Sequence, residues 1–158
     1  MRRRGFTLVE MLVVVGVIAI LALMTIPSLI EKTVRDQVSE AMSIADVAKL
    51  PIALAWGTAQ SLPADNAAAG LPLADKIVGN YVSSVAIQDG AIHLTFGNRA
   101  NSSILGKVLT LRPAVVADSP VVPVAWVCGN ATVPDKMTVK GINRTDVPPL
   151  YLPLKCRP

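Results

Sequence analysis

From Met11 to Ile30 the chain runs for twenty residues without a charged side chain, MLVVVGVIAILALMTIPSLI. Twenty residues of helix extend about 30 Å, the thickness of a bilayer's hydrocarbon core. A secretory signal peptide also begins with basic residues and an apolar stretch. Its apolar part is shorter, however, and ends at a small-x-small cleavage site. Here the run passes directly into EKTVRDQVSE, which keeps a helical pattern. The expectation is therefore one membrane-spanning helix, and the 128 residues beyond Ile30 suit one modest core.

Charge is distributed unevenly. The chain of 158 residues has 15 basic and 11 acidic side chains, net +4, with a pI near 9.3 and a mean hydropathy of +0.51. Three of the basic residues are Arg2, Arg3 and Arg4; without them the count is 12 against 11. The high pI is thus largely a property of the first few residues and does not point to nucleic acid. An arginine cluster ahead of a span is expected to stay on the cytoplasmic side and send the rest outward.

Glu10 stands at the head of the apolar run. A carboxylate deep in a spanning helix costs about 2.5–3.5 kcal/mol on insertion scales, so it implies a partner or a task. Two cysteines, Cys128 and Cys156, share no metal-like spacing. Beyond a membrane span they read most simply as one disulfide in an oxidising compartment, with two buried free thiols as the alternative.

The stretch Arg4-Gly5-Phe6-Thr7-Leu8-Val9-Glu10, followed by the apolar run and Pro27, resembles the N-terminal motif of type IV prepilins. The resemblance implies a leader over residues 1–5, cut between Gly5 and Phe6 by a membrane-embedded prepilin peptidase, with Phe6 then N-methylated. Cleavage would turn an amide into an amine with an ordinary pKa of about 7.7–8.0, largely cationic at neutral pH. That cation is a partner for Glu10, in the same chain one helical turn away or in a neighbouring subunit. An intermolecular pair in lipid would favour one axial register, so Glu10 is assigned to subunit alignment and assembly. Gly16 and Pro27 weaken the helix, and a kink or break is expected over residues 23–27. Filaments of this family melt part of this segment. Many relatives carry glycine eight residues before the proline, where this chain has Ala19.

Past the run, Val34, Val38, Ala41, Ala45, Ala48, Ile52 and Ala55 recur at alternating spacings of 4 and 3. This narrow, alanine-rich stripe predicts an amphipathic helix packed closely on a sheet over residues 31–59, bent at Pro51. Residues 60–75 read as a loop. YVSSVAIQDGAIHLTF predicts a hairpin around Asp89-Gly90, pairing Ile87 with Ile92 and Val85 with Leu94. Residues 107–116 and 121–129 read as two further strands. The fold class is therefore α+β: a long N-terminal helix, apolar then amphipathic, on an antiparallel sheet of about four strands. The globular head spans 60–158. WVCG and YLPLKCR, around Cys128 and Cys156, also resemble the C-terminal disulfide loop of a-type pilins, which implies a closed loop over 128–156.

His93, the sole histidine, falls on the strand face opposite Ile92 and Leu94 and reads as solvated. No phosphate-cradling glycine loop, nucleophile elbow or metal-ligand cluster is present in the sequence, so no enzyme activity, cofactor or metal is expected. Lys136, Lys140 and Arg144 give the tail a modest positive surplus, a candidate surface for DNA phosphates or a surface receptor. The resemblance implies a structural subunit of a type IV pilus, or fimbrium. Such a subunit is held in the inner membrane by a single pass with a cytoplasmic N-terminus, then polymerised with itself into an extracellular filament. An assembly ATPase and a platform protein would drive this. Cell adhesion, twitching motility and DNA uptake are the implied roles. The alternatives are a minor pilin with a DNA- or surface-binding role and a type II secretion pseudopilin. No acidic cluster suited to the calcium site of many pseudopilins lies near the C-terminus.

Overall fold

The computed structural model describes residues 5–158, apart from the side chain of Pro27. The arginine cluster at residues 2–4 lies outside the described residues. The chain divides into two compact units that meet between Thr33 and Val34. Helix α1 covers Leu8–Ile44 and α2 covers Asp46–Ala59. Residues 23–27 are helical without interruption. Side-chain hydroxyls bond back into this ladder: Thr25 Oγ1 donates to Ala22 O at 3.1 Å and Ser28 Oγ to Thr25 O at 2.8 Å.

Pro51 does not end the second helix, which carries it internally and continues to Ala59. The irregularity falls earlier, at Ala45, whose N–H turns to Met42 O at 3.2 Å in a tighter i→i−3 bond. A proline removes a donor and crowds the turn before it. Here α1 closes and α2 begins just ahead of that turn. The expected stripe is buried up to Ile52, with Val34, Val38, Ala41, Ala45, Ala48 and Ile52 all at most 1% exposed, while its last member, Ala55, is only partly buried. Alanine at three of these places lets the helix backbone approach its neighbours closely.

Four antiparallel strands follow in spatial order β1-β2-β3-β4: Val82–Gln88, Ala91–Phe96, Val108–Val115 and Ala125–Cys128. The hairpin forms in the expected register, with Val85 opposite Leu94 and Ile87 opposite Ile92. Its turn residues Asp89 and Gly90 have φ of 49° and 79°. Two positive φ values match the right-handed twist of the flanking strands, which is why Asp-Gly is favoured there. Val85, Ile87, Ile92, Leu94, Leu109 and Leu111 join the helical stripe in one core. Each such side chain contributes roughly 1.5–3 kcal/mol when fully buried.

The sheet differs from the expectation in two places. The last long strand is confined to Ala125–Cys128, because Pro120 and Pro123 lack the donors that a ladder needs. A fifth strand, β5 (Thr138–Val139), pairs with β3 at Ala114 and Val115. From β5 the chain crosses β3. It passes Ala91 at Gly141, the Thr110 hydroxyl accepts from the Arg144 N–H at 3.0 Å, and the Asp146 N–H reaches Val108 O at 3.0 Å. Gly141 sits at φ +82°, and an added Cβ would meet the Ala91 Cβ at 2.6 Å. This crossing covers the sheet face that the alternation pattern assigns to solvent. His93 is consequently 4% exposed and packed beside Thr110, which corrects its reading as a solvated residue.

Candidate functional site

The N-terminal turn is built from Gly5, Phe6, Thr7 and Glu10. Thr7 precedes the first helical residue, Leu8, and Glu10 stands three positions after Thr7. The Glu10 N–H donates to Thr7 Oγ1 at 3.3 Å. In return, Glu10 Oε2 accepts from the Thr7 N–H at 3.2 Å and from the Thr7 hydroxyl at 3.1 Å. This is a reciprocal capping box, which satisfies two orphan donors of the first turn and places a negative charge at the positive end of the helix dipole. The Thr-x-x-Glu spacing is itself the sequence signature of this arrangement.

Beyond the cap, the apolar side chains of the N-terminal unit point outward. Phe6 is 81% exposed, and Met11, Leu12, Ile18, Leu21 and Ile26 are all more than half exposed. A Cβ added to Gly16 would touch nothing within 4 Å, so packing within the chain does not require a glycine there. The helix is long and apolar enough to cross a membrane, by length and composition.

In the second unit, Cys128 and Cys156 are joined by a disulfide with a Cα–Cα distance of 4.6 Å, and no described cysteine is free. The bridge ties the end of β4 to the C-terminal 3₁₀ turn Leu154–Cys156, beside Met42 of α1, whose sulfur lies 3.8 Å from Cys156 Sγ. Lys136, Lys140 and Arg144 are exposed and spread along one stretch: Lys136 in a turn, Lys140 after β5, Arg144 on the crossing. Lys140 lines a cleft with Trp56, Gln60, Leu62, Asp89 and Gly141. Arg144 lies close enough to His93 for its charge to act there. His93 is pushed below its ordinary pKa first by burial and then by the Arg144 charge. Among the described residues, no group of three or more His, Cys, Asp or Glu could hold a metal ion.

One structural residue escaped the sequence reading. Asn66, 8% exposed, accepts from the Ile87 N–H at 2.7 Å and donates to Val85 O at 2.9 Å and Pro72 O at 3.0 Å. It satisfies the free edge of β1, and no motif marks such a role at a distance of 19 to 21 residues along the chain.

An exposed apolar helix of spanning length, on a chain whose α+β head is closed by a disulfide, defines a class of proteins with a membrane-length N-terminal helix and an oxidised head. Residues 34–157 match the family described as Pilin (bacterial filament), and residues 1–26 match the prokaryotic N-terminal methylation motif. The chain is 29% identical to a fimbrial protein of Neisseria meningitidis serogroup B over 98% of its own length and 94% of the relative's. It is 30% identical to a type IV major pilin protein, PilE, of Neisseria gonorrhoeae, with the same coverage. A shorter similarity, 47% over 51 residues, links it to the type IV major fimbrial protein FimA of Dichelobacter nodosus, covering 32% of each chain. The chain belongs to the pilin family, a structural and not an enzymatic family, and is a pilus structural subunit.

Proposed function

We propose that this chain is the main building unit of a type IV pilus, activated by cleavage between Gly5 and Phe6 and by N-methylation of Phe6. Before assembly it resides in the inner membrane with its N-terminus cytoplasmic; afterwards it forms part of an extracellular filament. The observation that carries the reading is the coexistence, on one chain, of the methylation motif over residues 1–26 and the pilin match over residues 34–157. The names of the Neisseria relatives, fimbrial protein and type IV major pilin, favour the main subunit over a minor one.

In this reading the polymer forms when the new amine of Phe6 meets a Glu10 carboxylate, most usefully that of a neighbouring subunit. The outward-facing apolar side chains of residues 6–30 exchange lipid contacts for contacts with other helices. Gly16 leaves a notch that a neighbour can fill, and Pro27 marks where the helix unwinds in the assembled fibre. A prepilin peptidase performs the cut, and an ATPase with a platform protein supplies the work of extraction. Adhesion, twitching motility and DNA uptake are the roles proposed for the filament, with Lys136, Lys140 and Arg144 as its candidate contact for DNA or a receptor.

Intact mass spectrometry of sheared surface filaments tests the reading. The main band should have the mass of the chain beginning at Phe6, plus one methyl group and minus two hydrogens for the disulfide. A main band that still includes the arginine triplet overturns it.

A further inference from the structure

Residues 141–145 lie across the outer face of β2 and β3 as a strap held at both ends. At one end the Lys140 N–H donates to Pro113 O at 2.9 Å, next to the β5 pairing. At the other the Asp146 N–H donates to Val108 O at 3.0 Å. Between these anchors the strap meets the sheet through Thr110, which is fully buried. The Thr110 N–H donates to Thr145 Oγ1, and its hydroxyl oxygen accepts from the Arg144 N–H, both at 3.0 Å. The same hydroxyl lies 3.0 Å from Nδ1 of the buried His93. One oxygen therefore joins the strap to the ring it covers.

That junction suits a neutral imidazole only. A neutral ring has one N–H and one acceptor nitrogen, so Nδ1 can accept the Thr110 hydroxyl proton while the oxygen serves Arg144. A protonated ring has an N–H at both nitrogens. Nδ1 must then donate to Thr110, turning the hydroxyl proton away, and Nε2 is buried without a hydrogen-bond partner among the described residues. The surrounding charges add to this penalty. β1 has no ionisable side chain, β2 none besides His93, and β4 only Cys128, which is held in the disulfide. Arg112 of β3 stands two residues from Thr110 on the same side, and the strap and its anchors carry Lys140, Arg144 and Asp146. Asp146 is already engaged by the Val108 N–H and by Lys107, and Asp89 sits out at the hairpin turn. The helices pack on the opposite face of the sheet. Burial, and then the Arg144 charge, hold the pKa of His93 below 6.5.

We infer that residues 141–145 form an acid-released strap: protonation of His93 lifts them from the sheet between the anchors at Lys140 and Asp146, while sheet and helices stay folded. Lifting the strap gives the ring water and moves it away from Arg144, so in the open form His93 titrates at its ordinary value. Opening is therefore rarest above pH 6.5 and grows as pH falls from 6.5 towards the lowered value of the closed form. At pH 5.0 an open His93 is protonated about thirty to one, which sets a ceiling of about thirtyfold on the increase.

Amide hydrogen exchange of the full chain in detergent micelles, followed by NMR at pH 7.5 and pH 5.0, tests the strap once each rate is divided by its intrinsic rate. Protection of the Arg144 amide should fall about tenfold or more between the two pH values. It should also stay well below that of Phe96, whose N–H is bonded to Lys107 O within the sheet at 2.8 Å. In His93→Gln the fall at Arg144 should disappear. In Arg144→Gln, which keeps the backbone bond to Thr110 and removes the charge, the fall should be smaller than in wild type. Unchanged protection of Arg144 at pH 5.0 overturns the inference. Equal protection of Arg144 and Phe96 at both pH values also overturns it, because the opening is then that of the whole head.

Discussion

Glu10 is held by Thr7 through reciprocal hydrogen bonds of 3.1 to 3.3 Å, so in the uncut chain its carboxylate already caps its own helix. The proposed cleavage before Phe6 would place a competing cation one turn away. The acid has an internal partner before processing and can exchange it for an external one afterwards.

Glu10→Gln keeps a side chain able to accept from the Thr7 N–H but removes the charge. The expected outcome is a processed, membrane-retained subunit with filament yield reduced about tenfold or more, since a charge-assisted bond contributes about 1.5–3 kcal/mol. Comparing sheared filaments with the membrane pool by immunoblot measures this. Thr7→Val, which removes the cap but leaves the charge, should lower helix stability by about 1 kcal/mol while leaving assembly nearly intact.

Cys128→Ser with Cys156→Ser opens the loop of the tail. The chain-entropy treatment gives about 3–4 kcal/mol for a loop of this length. Thermal melts of oxidised wild type and the double variant should differ accordingly, and reductant should lower the wild type towards the variant.

Asn66→Ala leaves the Ile87 N–H and the Val85 carbonyl at the edge of β1 without their side-chain partner. A loss of about 2–3 kcal/mol is expected, because each buried group left unsatisfied costs about 1–3 kcal/mol. Asn66→Asp should be no better, since its carboxylate cannot donate to Val85 O or Pro72 O. Denaturant unfolding at constant pH measures both.

His93 titrates below its ordinary value of 6.5, through burial and then the Arg144 charge. The folded state therefore holds it neutral where the unfolded state takes up a proton. Its contribution to stability is complete above pH 6.5 and declines as pH falls from 6.5 towards the lowered folded value. Melting temperature followed from pH 8 to pH 5 should fall more for wild type than for His93→Gln.

Much of this architecture was legible because local and long-range signals agreed. Asp89-Gly90 requires two positive φ values, and the alternation on either side fixed which residues face the core. The stripe from Val34 to Ile52 was equally clear, since its period matches the helix. Burial of His93 was not legible. It depends on residues 140–146 crossing the sheet, and that crossing is made of loop residues without a period. The two-residue β5 is too short to leave a pattern, and the role of Asn66 depends on a strand edge that no local spacing reveals. At the N-terminus the capping signature was present in Thr7 and Glu10, but the spacing was read only for a partner created by cleavage and not for the cap within the uncut chain.

The exposed apolar side chains between Phe6 and Ile30 have a thermodynamic corollary. Acyl chains are about as greasy as the side chains they would be traded for, so moving the helix from bilayer to fibre releases little hydrophobic free energy. Oiliness keeps the subunit out of water at both ends of its journey but favours neither end. The direction of transfer must then come from terms other than hydrophobicity, such as close helix packing and interhelical hydrogen bonds.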